Sequence, residues 1–225
     1  GLDYSRYDNQ HAGIYTTESS DRAFEEEVML SGFAGAPTKQ EGASVVFDQA
    51  NEAFTARYTH ETIALAFAIT EEAIEDNLYD RLAQRYTRAL ARSMSNTKQV
   101  KAAQVLNQAQ FTAVTGGDGV PLIANNHPLS NGGTFSNVLS VAADLNETSL
   151  EQSLIDIQGF VDERGLKIAL NGRKMIIPKE LQFTAERLMK SSLRPGTADN
   201  DVNAVANMGM VPEGYRVNNF LTDTD

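Results

Sequence analysis

The stretch from Glu71 to about Gln110 carries helical signals with no Gly or Pro to interrupt them. It predicts one continuous helix on the order of 60 Å long, at ~1.5 Å of rise per residue. Thr70 suits the N-cap, and the charges run from acidic near the start to basic toward the end, as the helix dipole favours. A compact enzyme domain has no use for a rod of this length, so this feature argues against one.

The predicted helix carries two different surfaces. One is a narrow apolar flank made of Leu78, Leu82, Tyr86, Ala89 and Val100. Beside it, four arginines recur at helical intervals of four, three and four and line an adjacent flank; they are Arg81, Arg85, Arg88 and Arg92. Two interpretations stay open: a solvated face whose ion pairs contribute about 0 to 1 kcal/mol, or a surface that meets carboxylates of the same or a neighbouring subunit.

Residues 1–30 are polar and rich in turn formers, which is typical of an arm rather than a domain. The expected carboxylates lie near its end, on a predicted short helical stretch, and are Asp21, Glu25, Glu26 and Glu27. A loop follows over 31–42. Apolar residues then recur at every second position, which predicts strands; they are Val45, Phe47, Phe54, Ala56, Tyr58, Ile63, Leu65, Phe67 and Ile69. We expect a long two-stranded excursion that returns at 50–52 and lies against other structure, since an isolated ribbon is marginal in water.

The second half of the chain predicts an ordinary α+β domain. Gly, Asn and Pro turns fill 115–137, and a capping box at 148–151 begins a helix that Gly165 stops. Its apolar face is Leu150, Leu154, Ile157 and Val161. MIIP at 175–178 reads as a buried strand, and Pro178 opens the next helix. A short helix and a last strand, YRVNNFL, are expected after the turns of RPGTADND.

Composition excludes several classes of protein. Thirty acidic residues against 19 basic ones give a formal charge of -11, which argues against a protein that grips nucleic acid through clustered Lys and Arg. The chain has no cysteine, so disulfide frameworks and thiolate metal sites are excluded. The sequence shows neither an apolar run long enough to span a bilayer nor a signal-peptide layout, and a soluble intracellular protein without a membrane partner is expected.

No catalytic, cofactor or metal site is predicted. The three histidines, His11, His60 and His127, lie in unrelated segments and outside any spaced metal pattern, so surface or turn roles are expected. GGDG at 116–119 is better explained as a plain turn than as a calcium loop or phosphate cradle. A hydrolase using His60 or His127 with a nearby Asp stays as a rival hypothesis. It requires the His and its partner within hydrogen-bond reach in a concave pocket.

The order of arm, long β excursion, long helix and α+β domain is matched by recognisable sequence segments. They include FTARYTHETIALAFAITEEAIEDNLYDRL at 54–82, ALARSMSNTKQVKAAQVLN at 89–107, GGDGVPLIANNHPL at 116–129, GGTFSN at 132–137, SLEQSLIDIQGFVDERGLKIAL with MIIPKELQFTAERLMKS over 149–191, RPGTADNDVNAV at 194–205 and PEGYRVNNFLTDTD at 212–225. Together they resemble the major capsid proteins of tailed bacteriophages, in particular the Mu-like major head subunit group. The resemblance covers most of the chain.

This resemblance implies a Hong Kong 97-type capsid fold of the α+β class. The arm would be 1–30, the extended β-hairpin loop 31–62, the peripheral domain 63–139 with its spine helix at about 71–110, and the axial domain 140–225. The extended loop would lie over a neighbouring subunit. The family's chains normally run on past LTDTD into further peripheral strands, and a C-terminal peripheral segment is therefore expected to be missing here.

The resemblance also implies a function without enzymatic activity. The protein would assemble with itself, as hexamers and pentamers of an icosahedral shell that encloses double-stranded DNA without sequence-specific binding. Scaffold, portal and cement proteins are candidate partners, and the protein would lie in the virion after assembly in the host bacterial cytoplasm. An encapsulin, a nanocompartment shell of the same fold around enzyme cargo, is the alternative.

Assembly contacts are expected from the extended loop, the arginine row and the acidic cluster. The loop candidates are Pro37, Lys39, Phe47, Phe54 and Arg57; the helix candidates are Arg81, Arg85, Arg88 and Arg92; the arm candidates are Glu25, Glu26 and Glu27. Some relatives cross-link neighbouring subunits through a Lys and an Asn. Lys39 lies in the right kind of loop, but a lysine there is more often simply solvated.

Overall fold

The computed structural model describes residues 9–72, 80–194 and 201–222, with the side chains of the long helix described from Gln84 onward. Helices and strands are mixed along the chain, as expected. In order they are β1 (Phe24–Leu30), β2 (Glu52–Thr59), α1 (Asp80–Asn107), β3 (His127–Pro128), β4 (Thr134–Phe135), α2 (Glu147–Gln158), β5 (Met175–Ile177), α3 (Gln182–Lys190), α4 (Ala204–Met208) and β6 (Tyr215–Val217). Short 3-10 turns lie at Gln10–Gly13 and Lys179–Leu181.

The extended hairpin pairs β1 with β2 in antiparallel register, with Phe24 opposite Thr59 and Leu30 opposite Glu52. The expected helical stretch in the arm is therefore wrong, because Glu25–Glu27 lie on a strand. The helix propensity of these glutamates is outweighed by pairing with β2, which brings Glu26 opposite Arg57. The hairpin thus begins at Phe24, earlier than predicted.

Residues 32–50, which we call the distal loop, connect the two strands. Ser31 and Asn51 close its base: the Ser31 N–H donates to the Asn51 carbonyl at 2.8 Å, and the Asn51 N–H donates to Ser31 Oγ at 3.0 Å. The strand expected at Val45 and Phe47 is absent, and the distal loop has no strand in the described structure. Alternation alone mispredicted it because no second strand lies beside it.

Residues 60–70 also form no strand, although their apolar residues alternate. They run beside α1 instead. The Phe67 and Tyr86 rings lie 5.8 Å apart, and the Lys101 ammonium pairs with the Glu61 carboxylate. Residues 60–70 therefore pack against a helix, whereas the alternating pattern predicted that they pair with a strand.

Helix α1 confirms the long rod over its described part. Residues 71–72 are also helical, 73–79 lie outside the described residues, and the helix ends at Asn107, three residues before the predicted end. The Asn107 side chain closes this end, donating to the Phe220 carbonyl at 3.0 Å and accepting from the Thr222 N–H at 3.0 Å. No described helix is both long and apolar enough to cross a bilayer.

The buried face of α1 differs from the predicted apolar flank. Ser95, Gln99 and Ala103 are buried, whereas Tyr86 keeps 49% of its surface and Val100 is exposed. The N-terminal arm covers the buried face: the His11 N–H donates to Gln99 Oε1 at 3.2 Å, and the Tyr15 hydroxyl donates to the Ala102 carbonyl at 2.9 Å. The side chains of Leu78 and Leu82 lie outside those described.

A small core holds the second half of the chain together. Helices α2, α3 and α4 contribute Leu150, Leu154, Leu188 and Val205 to it, with Val211. Strands β5 and β6 pair in parallel, which confirms the strand predicted at MIIP. The predicted last strand, YRVNNFL, is confirmed only over Tyr215–Val217, because a turn follows. Buried Asn203 caps α4, accepting from the Ala206 N–H and donating to the Leu188 carbonyl at 2.8 Å.

Helix α2 is shifted from its predicted bounds. Its N-cap is Asn146, which accepts from the Ser149 N–H at 2.9 Å while Ser149 Oγ accepts from the Asn146 N–H at 3.0 Å. The helix ends at Gln158, before Gly165, and Val161 instead bridges to Lys167 in a separate turn. An Asn side chain caps a helix as well as a Ser or Thr does, so Asn146 is as suitable an N-cap as the predicted Thr148.

The GGDG segment is a turn, as predicted. The Gly116 N–H donates to the Val120 carbonyl at 2.8 Å, and Thr115 bridges to Pro121. Gly117 lies directly against β2: a Cβ built on it would meet the Thr55 carbonyl oxygen at 2.8 Å. The turn therefore supports the hairpin from the side of its second strand.

Candidate interaction surfaces

The chain exposes far more surface than a compact monomer does. Its accessible area is 16423 Å² for a mass of 24.5 kDa, whereas a compact folded monomer of that mass exposes about 10,000 Å². Large hydrophobic side chains are exposed along the hairpin, in the distal loop and on the helices. Where such side chains form large exposed patches, they mark contacts with other proteins, membranes or ligands.

A strongly exposed apolar group, which we call the loop tip, is Val45–Phe47 in the distal loop. Phe47 keeps 93% of its surface, Val46 68% and Val45 64%. The other predicted loop candidates, Pro37 and Lys39, are also exposed. Phe54 differs from them, because it lies half-buried on β2 beside a cavity formed with the GGDG turn.

The acidic cluster finds its partners within the hairpin. Glu26 Oε1 accepts from Arg57 Nε at 2.8 Å, and the Arg57 guanidinium carbon lies 4.4 Å from the centre of the Phe24 ring. Glu25 Oε1 accepts from Ser20 Oγ, and Glu27 accepts from the Tyr58 hydroxyl at 3.3 Å. Burial, and then the nearby Glu27 carboxylate, raise the pKa of Tyr58. Asp21 is exposed beside the cluster.

The arginine row is exposed on the first half of α1. Arg85, Arg88 and Arg92 all lie at the surface, and the side chain of Arg81 is outside those described. Along the helix the row continues into the buried positions Ser95 and Gln99, since residues three or four apart share a face. The structure pairs Glu26 with Arg57 rather than with this row. The described residues therefore show no contact between the arginine row and the acidic cluster within one chain. A contact of the row with carboxylates of a neighbouring chain stays a prediction.

His127 and Asp118 form a close pair, which gives His127 the nearby Asp that the rival hypothesis required without naming it. The His127 Nδ1 and Asp118 Oδ2 atoms are 2.6 Å apart, both side chains are largely buried, and Asp118 Oδ1 accepts from the Val120 N–H at 3.3 Å. The His127 ring lies 6.2 Å from Phe135, whose ring meets Phe160 edge-on at 4.8 Å. The pair thus ties the GGDG turn to the β3–β4 segment.

The pair meets part of the geometric requirement of the rival hydrolase. It lies at a cavity of about 700 Å³ between the hairpin and the GGDG turn. The described residues that line this cavity include no serine, threonine or cysteine to act as a nucleophile, and His127 Nε2 is buried without a hydrogen-bond partner among them. A base must reach the proton it abstracts, so this arrangement suits bracing of the turn better than catalysis. His60 is exposed and lies 3.2 Å from Ser20 Oγ.

No group of three or more His, Cys, Asp or Glu side chains in the described ranges is placed to hold a metal ion. The acidic side chains at the cavity come from separate elements, with Glu27 on β1, Asp118 in the turn and Asp162 and Glu163 beyond α2.

An ion pair between Asp48 and Arg164 was missed by the sequence reasoning. It joins positions 116 apart, and Arg164 Nη2 lies 3.0 Å from both carboxylate oxygens. The Asp48 carboxylate also accepts the Ala34 N–H at 2.7 Å and the Gln49 N–H at 2.9 Å. These backbone donors, and then Arg164, lower the pKa of Asp48. No local pattern could have indicated a contact over this separation.

Comparison with known proteins gives one family and several solved structures. A family model described as "Phage capsid protein" matches residues 52–225. No curated protein sequence matches the chain.

The solved structures are similar in fold and distant in sequence. "Bacteriophage JBD30 capsid" is 13% identical with a TM-score of 0.65, covering 90% of this chain and 88% of that one. The JBD30 capsid decorated with minor capsid protein trimers is 14% identical with a TM-score of 0.66, covering 93% and 89%. The JBD30 procapsid is 13% identical with a TM-score of 0.54, covering 98% and 97%. At these identities the likeness is one of fold.

Proposed function

The chain belongs to the phage capsid protein family, and on that premise we propose that it is the major head subunit whose copies close into an icosahedral shell around the double-stranded DNA of a tailed bacteriophage. The family match over 52–225 is the observation that carries the proposal. We further assign it to the Mu-like group with a Hong Kong 97-type subunit, a finer assignment that rests on the sequence resemblance.

The excess of exposed surface supports assembly with copies of itself. About 6,000 Å² more is exposed than on a compact monomer of the same mass. Obligate interfaces bury 2,000 to 5,000 Å² or more in total, so contacts with several neighbours account for this excess. A subunit within a closed shell has several neighbours, arranged here as hexamers and pentamers.

The proposed division of the subunit follows from the family. We assign an arm to 1–30, an extended loop to 31–62, a peripheral domain that contains α1 to 63–139, and an axial domain to 140–225. The hairpin of β1 and β2 refines this division, because its first strand belongs to the segment assigned to the arm. The extended loop would lie over a neighbouring subunit with its loop tip in the contact.

The acidic balance supports a container rather than a nucleic-acid binder. With a formal charge of -11, the shell would enclose DNA without holding it tightly or reading its sequence. The proposed partners include scaffold and portal proteins, and the trimers that decorate the JBD30 capsid support a minor capsid partner as well. The protein would be a structural component of the virion, without enzymatic activity, assembled in the cytoplasm of the bacterial host.

Negative-stain imaging of the purified particle tests the proposal. Closed shells of uniform diameter are expected, and DNA should be recovered from particles of infected cells after nuclease treatment of the outside. Shells that hold enzyme cargo in place of DNA would favour the encapsulin alternative. A stable monomer that melts cooperatively and never associates at any concentration or salt would overturn the shell itself.

A further inference from the structure

An ion pair joins the distal loop to the rest of its own subunit. Among the residues that the structure describes, Arg164 is the one polar partner that residues 32–50 find outside the loop and its closing pair. The guanidinium meets both oxygens of Asp48 at 3.0 Å. Asp48 also accepts the Ala34 N–H at 2.7 Å, so its carboxylate holds the outgoing and returning limbs of the loop together.

Arg164 lies on a turn built to hold it in place. Residues 161–167, which we call the latch turn, are closed by the bridge between Val161 and Lys167. Asp162 Oδ1 accepts from the backbone N–H of Arg164 at 2.9 Å and of Leu166 at 2.8 Å. Gly165 adopts a φ of 85°, a conformation that favours glycine. The turn therefore presents Arg164 from a fixed backbone.

The loop also touches this turn through small residues. A Cβ built on Gly35 would lie 3.5 Å from Leu166 Cδ2, and one on Gly32 would lie 3.8 Å from Asp162 Oδ2. Both are ordinary van der Waals distances, so the loop backbone runs beside the turn at these two positions without a strained contact. The exposed loop tip, Val45–Phe47, directly precedes Asp48 in the sequence, so the ion pair holds the residue next to it.

We propose that the Asp48–Arg164 ion pair is a latch, which holds the distal loop on the latch turn of the same subunit and so fixes the direction in which the loop tip meets a second copy of the chain. The ion pair within one subunit does not depend on the proposed function, whereas the docking of the tip on a second copy rests on it. Asp48 and Arg164 are positioning residues: they set the geometry of an apolar contact that they do not themselves make.

Limited trypsin digestion of the unassembled subunit tests the latch. Lys39 lies within the distal loop, and cleavage after it, followed by mass spectrometry, reports how often the loop leaves the turn. Asp48→Asn and Arg164→Gln should each speed this cleavage roughly two- to five-fold, as expected for loss of one partly exposed ion pair. The double variant should be cleaved no faster than either single variant, because both remove the same interaction.

Glu41→Gln is the matched control, since it removes one negative charge from the same loop at an exposed side chain. It should be cleaved at the wild-type rate. High salt should also bring the wild type closer to Asp48→Asn, because exposed charges are screened. Cleavage of Asp48→Asn and Arg164→Gln at the wild-type rate would overturn the latch.

Assembly of the same variants separates the latch from the proposed function. If wild-type subunits form shells, a free loop should lower the yield of shells from Asp48→Asn and Arg164→Gln while Glu41→Gln assembles normally. Faster cleavage with an unchanged yield would refute the role in directing the loop tip. Failure of the wild type to form shells would count against the proposed function and leave the cleavage result standing.

Discussion

Gly117 shows how one residue without a side chain sets the position of the hairpin. A Cβ at this position would meet the Thr55 carbonyl oxygen at 2.8 Å and the Ala56 nitrogen at 3.0 Å. Both are backbone atoms of β2, so neither can rotate away. The sequence indicated a turn at GGDG, but the approach of a strand about 60 positions earlier is a non-local contact that turn chemistry does not encode.

Gly117→Ala should therefore push the turn off β2 and destabilise the subunit by roughly 1–3 kcal/mol, the usual effect of overpacking a close contact. Urea unfolding of the unassembled subunit measures this change. Gly35→Ala is the control, because its Cβ would make only an ordinary contact at 3.5 Å with the Leu166 side chain. Equal stability of the two variants would contradict the close approach.

Helix α1 shows which part of an element can be read from sequence. Its existence and length follow from an unbroken run of helix formers, which is local information. The prediction of its buried face was wrong, because small and polar residues such as Ser95 and Ala103 are buried where the arm crosses the helix. A larger apolar residue, Tyr86, faces outward beside Phe67. The small size of the side chains on this face of α1, rather than their hydrophobicity, lets the backbone of the arm approach the helix.

The arginine row on α1 belongs to assembly in the proposed function. Arg85→Glu should reduce the yield of shells at least about tenfold, since reversing a charge opposite carboxylates costs several kcal/mol, while the far-ultraviolet circular dichroism of the subunit stays unchanged. Sedimentation of the assembly mixture measures the yield. Lys98→Glu makes the same charge change on the same helix but away from the row, and it should assemble normally.

Equal yields from these two helix variants would favour the simpler interpretation of the row as a solvated face. Residues Arg88 and Arg92 would then share that role, since they lie on the same flank of the helix.

At the scale of the whole molecule, the order of elements was predictable and the pairing of the hairpin was not. The predicted hairpin began at 31, but the strand opposite β2 is Phe24–Leu30. Its sequence, FEEEVML, has high helix propensity and becomes a strand only through its partner. Of the candidate residues, Pro37, Lys39 and Phe47 are exposed as a contact surface requires, whereas Arg57 is already paired with Glu26.

Acid should weaken the subunit through several carboxylates at once. Hydrogen bonds from Lys101, Lys190 and Lys174 lower the pKa of Glu61, Glu186 and Glu213 respectively. A folded-state pKa below the unfolded value stabilises the fold above that value, and the effect is lost as the pH falls through the folded-state pKa. The urea concentration at the midpoint of unfolding should therefore stay constant near neutral pH. It should fall once the pH drops below 4.5, the ordinary pKa of a glutamate carboxyl.

Glu213→Gln should reduce this acid-dependent fall, because it removes a carboxylate that pairs with Lys174 Nζ at 2.7 Å and Arg173 Nη2 at 2.8 Å. Glu18→Gln, at an exposed carboxylate of the arm, should leave the fall as in the wild type. An identical pH profile for all three proteins would show that the ion pairs of Glu213 contribute nothing to the fold.

The thin interior of the subunit also bears on its lifetime inside a cell. Among the described residues, the buried cluster of the second half consists of Leu150, Leu154, Leu188, Val205 and Val211, with partly buried side chains packed against it. We expect a subunit with a small buried core to open more readily than a larger compact domain, and opened chains are removed by quality-control proteases. In the proposed function, assembly and degradation then compete for newly made copies. A high rate of synthesis would favour assembly, because assembly depends on the concentration of subunits.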